Sequence, residues 1–116
     1  MSRQNPPPSR PGQAARAPAV DETFGTTGQG YHLTRVHHVG DYTLRVDIRR
    51  DAYARQSHAV VEVLTPALTW THLAAEPPSS WHAASPSPYG PTKPGPEALY
   101  PLAERLLRRA TTILRA

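Results

Sequence analysis

Residues 31–50, YHLTRVHHVGDYTLRVDIRR, leave this chain little freedom in how it can fold. Two β-rich stretches flank the pair Gly40-Asp41, and the second alternates along its length. Tyr42, Leu44, Val46 and Ile48 fall on one side of a strand and Thr43, Arg45, Asp47 and Arg49 on the other, because strand side chains repeat every two residues. Such a hairpin is apolar on one face only and needs a cover. The chain supplies one near its C-terminus, where Leu99, Leu102, Ala103, Leu106, Ala110, Ile113 and Leu114 recur at helical spacing. The expected fold class is therefore α+β: a small antiparallel β-meander of three to four strands with one C-terminal amphipathic helix packed on it.

The phase of the first strand has two solutions. A two-residue turn at Gly40-Asp41 sets Val39 opposite Tyr42 and Leu33 opposite Ile48 on the covered side, with Arg35 and His37 beside them. The other side then carries His32, Thr34, Val36 and His38 against Arg49, Asp47, Arg45 and Thr43. An arginine and a histidine under a helix are unfavourable, and a three-residue turn or a bulge would move both out to solvent. Downstream, HAVVEVL at His58–Leu64 is β-branched and compact, the expected best-buried strand, and Thr65-Pro66 ends it. Residues 68–73, LTWTHL, give a weaker fourth strand at an edge. Nothing between these strands is long enough for a crossover helix, so the sheet is antiparallel. In the helix, Glu97 and Glu104 lie early and Arg108, Arg109 and Arg115 late, the order the helix dipole favours. Pro101 must either be its first residue or kink its first turn.

Outside these elements the chain changes character. Residues 1–30 are rich in Pro, Gly and Ala, lack apolar periodicity, and are expected to form a disordered arm. Within it, Pro8, Ser9, Arg10 and Pro11 have the spacing of a polyproline ligand. Residues 31–116 then form one small domain, with an irregular proline-rich connection at 77–96 that holds seven of the fourteen prolines. Leu, Ile, Val and Phe total 20 of 116 residues, and all but Val20 and Phe24 lie between Leu33 and Leu114. A core that small gains from a partner or from self-association. Trp81 and Tyr89, set among the prolines, are candidates for a recognition strip or for a lid folded back over the sheet.

With no cysteine, a disulfide framework and a thiolate metal site are both excluded. No apolar run reaches the length of a signal peptide or membrane span, so a soluble cytoplasmic protein is expected. Twelve of the thirteen basic residues are Arg, which together with the Ala and Pro content fits GC-rich coding and a bacterial accessory protein. The net charge of +4 is concentrated after residue 76, where five basic residues face two acidic ones.

Three function classes remain. Six histidines raise the question of a metal, but His37 and His38 leave a strand on opposite faces, and no His-x-His or His-x-x-x-His spacing occurs. A site would have to be assembled across strands, for instance from His32, His38, His58 and Glu62, and no metal or cofactor is expected. His32 and His38 with Arg45 or Arg49 are the parts for a small histidine-dependent hydrolase or nuclease, but no nucleophile elbow or phosphate loop accompanies them. Arg105, Arg108 and Arg109 on one helix face, and Arg45 and Arg49 on one strand face, are candidate phosphate contacts of a nucleic-acid-binding protein. The expectation that fits best is a non-catalytic binding module that acts on a macromolecular partner, a protein or a second copy of itself. Its candidate contact residues are those five arginines with Trp81 and Tyr89.

Overall fold

The computed structural model describes residues 18–115. It consists of five strands, β1 (Asp21–Thr26), β2 (Gly30–Val39), β3 (Tyr42–Asp51), β4 (His58–Leu64) and β5 (Trp70–Ala75), followed by helix α1 (Tyr100–Arg115). Each strand pairs antiparallel with its neighbours in chain order, which makes the sheet a simple meander. The sequence led us to expect three to four strands. The additional one is β1, in residues assigned to the disordered arm, whose last residue, Gly30, opens β2; residues 1–17, with the Pro8–Pro11 spacing, lie outside the described residues. In β1, Phe24 is half-buried and its five neighbours are exposed, so this edge strand is held by backbone pairing rather than by an apolar pattern.

The two-residue turn holds. Val39 pairs with Tyr42 and Leu33 with Ile48, and Gly40 takes φ +60 at the first central position, as a type II′ turn requires. Arg35 and His37 therefore do lie on the covered side, and His37 is buried. What makes Arg35 tolerable is β1: Glu22 brings a carboxylate to 3.0 Å from Arg35 Nε. The guanidinium also stacks on Tyr100 at 4.6 Å, and the Tyr100 hydroxyl donates to Glu22 at 2.9 Å. Arg35 Nε, although close enough, is not aimed at an acceptor, so the contact is an ion pair rather than an aligned hydrogen bond.

Leu33, Leu44, Val46, Ile48, Ala59 and Val61 form the sheet's side of the core, and Leu99, Leu102, Ala103, Leu106, Leu107 and Ala110 close over it. Strand β4 is less enclosed than expected, since Ala59 and Val61 are its only buried residues. Strand β5 is the edge strand anticipated, but it starts at Trp70, because Leu68 and Thr69 belong to the preceding turn. Pro101 sits in the first turn of α1. A 3₁₀ turn at Pro96–Leu99 leads in, and the Glu97 carbonyl is taken by the Tyr100 amide. The missing proline N–H thus costs no helical bond. The predicted stripe was displaced at one place: Ile113 is 43% exposed, whereas Leu107 is buried.

The proline-rich residues 77–96 are not a free strip. Trp81 is only 4% exposed and packs into the core. Its indole N–H donates to the Glu76 carbonyl at 3.3 Å. Arg50, itself buried, clamps the same segment: Nε donates to Ser85 Oγ at 2.9 Å and Nη2 to the His82 carbonyl at 3.3 Å. The Tyr31 hydroxyl donates to the Pro86 carbonyl at 2.7 Å. Burial holds that phenol above its ordinary pKa against the opposing charge of Arg50, so it stays a neutral donor. This segment completes the closed side of the sheet.

One residue breaks a local rule. In the β4–β5 hairpin, the Leu68 amide donates to the Thr65 carbonyl and the Thr65 amide to the Thr69 carbonyl, both at 2.8 Å. That closes a three-residue loop with Leu68 in the left-handed region at φ 63, and its side chain is 78% exposed. A leucine there carries backbone strain of about 1–2 kcal/mol with no burial to offset it. Leu68→Gly is therefore expected to raise stability by about 0.5–1 kcal/mol after the larger unfolded-state entropy of glycine is deducted. A higher urea midpoint with unchanged slope is the expected readout. A lower midpoint would mean that the Leu68 side chain is held by contacts in the folded protein.

Candidate functional site

With one face of the sheet closed by α1 and the Trp81 segment, the polar residues of the central strands gather on the other. The register places His32 opposite Arg49, Thr34 opposite Asp47, Val36 opposite Arg45 and His38 opposite Thr43. Across the next seam, His58 also faces Arg49, Val60 faces Asp47, and Glu62 faces Arg45. Glu62 in turn faces His72 and Leu64 faces Trp70 on β5. On this face His32, Thr34 and His58 bond to Asp47, Arg45 to Glu62 and His38 to Thr43.

Asp47 is its centre. From opposite sides, His32 Nε2 lies 2.6 Å from Oδ1 and His58 Nε2 2.7 Å from Oδ2. The Thr34 hydroxyl donates to Oδ1 at 2.9 Å. Each histidine reaches Asp47 along a diagonal of the sheet, because the residue directly opposite both is Arg49. Burial alone would raise the Asp47 pKa, but the hydrogen bonds from His58, His32 and Thr34 together hold it below the ordinary carboxylate range. An ionised carboxylate only accepts, so each ring carries its proton on Nε2. The site is open: the side chains of His32 and His58 are 40% and 44% exposed, and that of Asp47 23%.

Beside this group Arg45 donates from Nε and Nη2 to Glu62 Oε1, at 3.0 and 2.8 Å, and its guanidinium lies 4.3 Å from the centre of the Trp70 ring. The stack orients a tryptophan that is only half-buried.

The seven contact residues read from the sequence are scattered rather than gathered. Arg45 and Arg49 share the open face, Arg45 paired as described and Arg49 exposed. Arg105 is on the far side of the molecule, bonded through Nε and Nη2 to the two oxygens of Glu76 at 3.0 and 2.9 Å. Those bonds hold Glu76 below its ordinary pKa. Arg109 donates to the Ala75 carbonyl at 2.7 Å, and Arg108 is exposed. Trp81 belongs to the core and offers no contact surface, and Tyr89 is 66% exposed.

Of the metal ligands considered from sequence, His32 and His58 do come together. Their carboxylate is Asp47 rather than Glu62, which is taken by Arg45, and His38 stays at the hairpin end, 3.2 Å from Thr43 Oγ1. The signal for Asp47 was its position: it pairs with Thr34, two residues along from His32, and that was readable once the turn was fixed.

Fold and site together define a small α+β protein whose five-stranded antiparallel sheet has one closed face and one open, polar face. Comparison of the chain with protein-family models, with curated proteins and with solved structures gave no match. Among the described residues, no helix is long and apolar enough to cross a membrane.

Proposed function

We propose that this protein is a non-catalytic binding module that engages a protein partner through the open face of its sheet. The observation that carries this reading is the ordered polar array on that face: Asp47 bridging three strands, next to an arginine-stacked tryptophan at the rim. Tryptophan and arginine are the side chains that most often anchor protein interfaces, and side chains already fixed by neighbours lose little entropy on contact.

The nucleic-acid alternative is less well supported. Two of its five arginines, Arg45 and Arg105, are neutralised by Glu62 and Glu76, and the sheet and helix arginines lie on different sides of the molecule. Labelled duplex DNA and single-stranded RNA are therefore expected to bind more weakly than about 100 µM at ordinary salt, the weak end of non-specific binding. The test of the proposal places a photo-crosslinking amino acid at Arg49 or His72 on the open face, and at Arg108 or Arg115 on the helix, in cells that make the protein. Discrete protein adducts from the first pair only are expected. Adducts from the helix positions alone, or adducts to nucleic acid, would contradict it.

A further inference from the structure

We propose that His32, Asp47 and His58 form a binding site for a divalent transition-metal ion of the Zn²⁺ class. The inference concerns the open face itself and stands whether or not that face meets a protein. The three side chains converge from three adjacent strands, and their ligand atoms all lie within 4.8 Å of one another. Two imidazole nitrogens and a carboxylate make a donor set suited to borderline ions such as Zn²⁺, and unsuited to Ca²⁺ or Mg²⁺, which take oxygen ligands.

The geometry needs little adjustment. Metal bonds of about 2.0–2.1 Å put neighbouring donors of a tetrahedral site roughly 3.3 Å apart. The present separations of 2.6 and 2.7 Å from Asp47 have to widen by about 0.6 Å, and the two imidazole nitrogens, which lie within 4.8 Å of each other, have to close toward the same spacing; rotation of two half-exposed imidazoles supplies both movements. No net proton has to leave a neutral ring: each shifts its proton from Nε2 to Nδ1 and turns the freed lone pair to the metal. The Thr34 hydroxyl on Oδ1 fixes the orientation of the Asp47 carboxylate, as outer hydrogen bonds do in metal sites. Three protein ligands on an open face leave further coordination positions to water or to a donor from a partner.

Arg49 sets the limit on affinity. It stands directly between the two histidines in the register, and its charge opposes a cation there. Affinity in the micromolar range is the result expected from that opposition and from the exposure of the site.

The test is titration of the full chain with ZnCl₂ against a chromophoric chelator, together with the Zn²⁺-dependent shift in melting temperature. One ion is expected per chain. His58→Gln and Asp47→Asn should each weaken binding at least tenfold, Thr34→Val several-fold, while Arg49→Gln should tighten it several-fold. His38→Ala, which removes an exposed histidine outside the cluster, should change nothing. Asp47→Asn keeps an acceptor for the neighbouring donors, and circular dichroism checks that each variant is folded. No binding by the wild-type chain at 1 mM Zn²⁺, or equal binding by the His58→Gln variant, would overturn the proposal. So would a loss in His38→Ala as large as that in His58→Gln. None of these outcomes depends on the crosslinking experiment, so the two readings fail separately.

Discussion

Trp81→Ala is expected to destabilise the protein by about 3–5 kcal/mol, the usual cost of deleting a fully packed large aromatic side chain. That is a large share of the 5–15 kcal/mol that holds a domain of this size together. The reason lies in how the closed face is built. A short chain with few large apolar residues cannot cover a five-stranded sheet with one helix, so residues 77–96 supply the rest of the cover. Trp81 is the segment's main apolar anchor, Arg50 and Tyr31 bond the segment's Ser85 side chain and its His82 and Pro86 carbonyls, and its own His82 ring reaches the Asp51 carbonyl of β3 at 2.8 Å. Loss of the indole leaves a void beneath hydrogen bonds that then become solvent-exposed. Urea unfolding should show a sharply lower midpoint, and Trp81→Phe should recover a good part of the loss. A change below about 1 kcal/mol would mean that the segment lies on the surface without contributing to the core.

The second large effect is expected at Gly30, where β2 begins. A Cβ built there would meet the Arg50 carbonyl oxygen at 2.1 Å and the Asp51 Cα at 3.0 Å, both backbone atoms of β3. Backbone cannot swing aside as a side chain can, so Gly30→Ala must separate the two strands at their end. The first losses are the Gly30–Asp51 pairing and the bond from the Ala52 amide to the Gln29 carbonyl, at 2.8 Å. The expected cost is about 3 kcal/mol, the upper end for forcing extra volume into a packed site. Gly25→Ala has open space around its Cβ and serves as the matched control. Equal stability of the two variants would contradict the close approach of β2 and β3.

How much of this was legible in the sequence depended on whether local pattern or distant register decided the outcome. The alternation from Tyr42 to Ile48 and the apolar helix stripe placed the sheet, the helix and the closed face, because burial imposes a strict period on each. Strand β1 was not legible: with Phe24 as its one half-buried residue it has no period, and it persists because the exposed edge of β2 offers it partners. Its absence from the sequence reading is also why Arg35 looked misplaced, since Glu22 comes from β1. Leu107 and Ile113 lie at the flanks of the apolar stripe, where helical spacing alone does not decide burial: Leu107 is buried and Ile113 exposed. Arg105 and Glu76 are 29 residues apart, and helix periodicity carries no information about that pairing. The His32–Asp47–His58 group was half visible. Its two histidines stood among the ligands the sequence offered, beside His38, but the choice between Asp47 and Glu62 needed the register of three strands at once.

Asp47 joining His32 and His58 is the contact on which the reading of the open face rests, and the most direct test is a long-range ¹H–¹⁵N spectrum of the histidine side chains. It is recorded on the full chain at about pH 8, above the ordinary range of imidazole titration. The structure predicts that His32 and His58, together with His82 on the Asp51 carbonyl, are predominantly Nε2–H tautomers, that His58→Gln removes one of the three, and that Asp47→Asn shifts the His32 and His58 signals while leaving that of His82 in place. Histidines 32 and 58 with averaged tautomers, insensitive to Asp47→Asn, would contradict it.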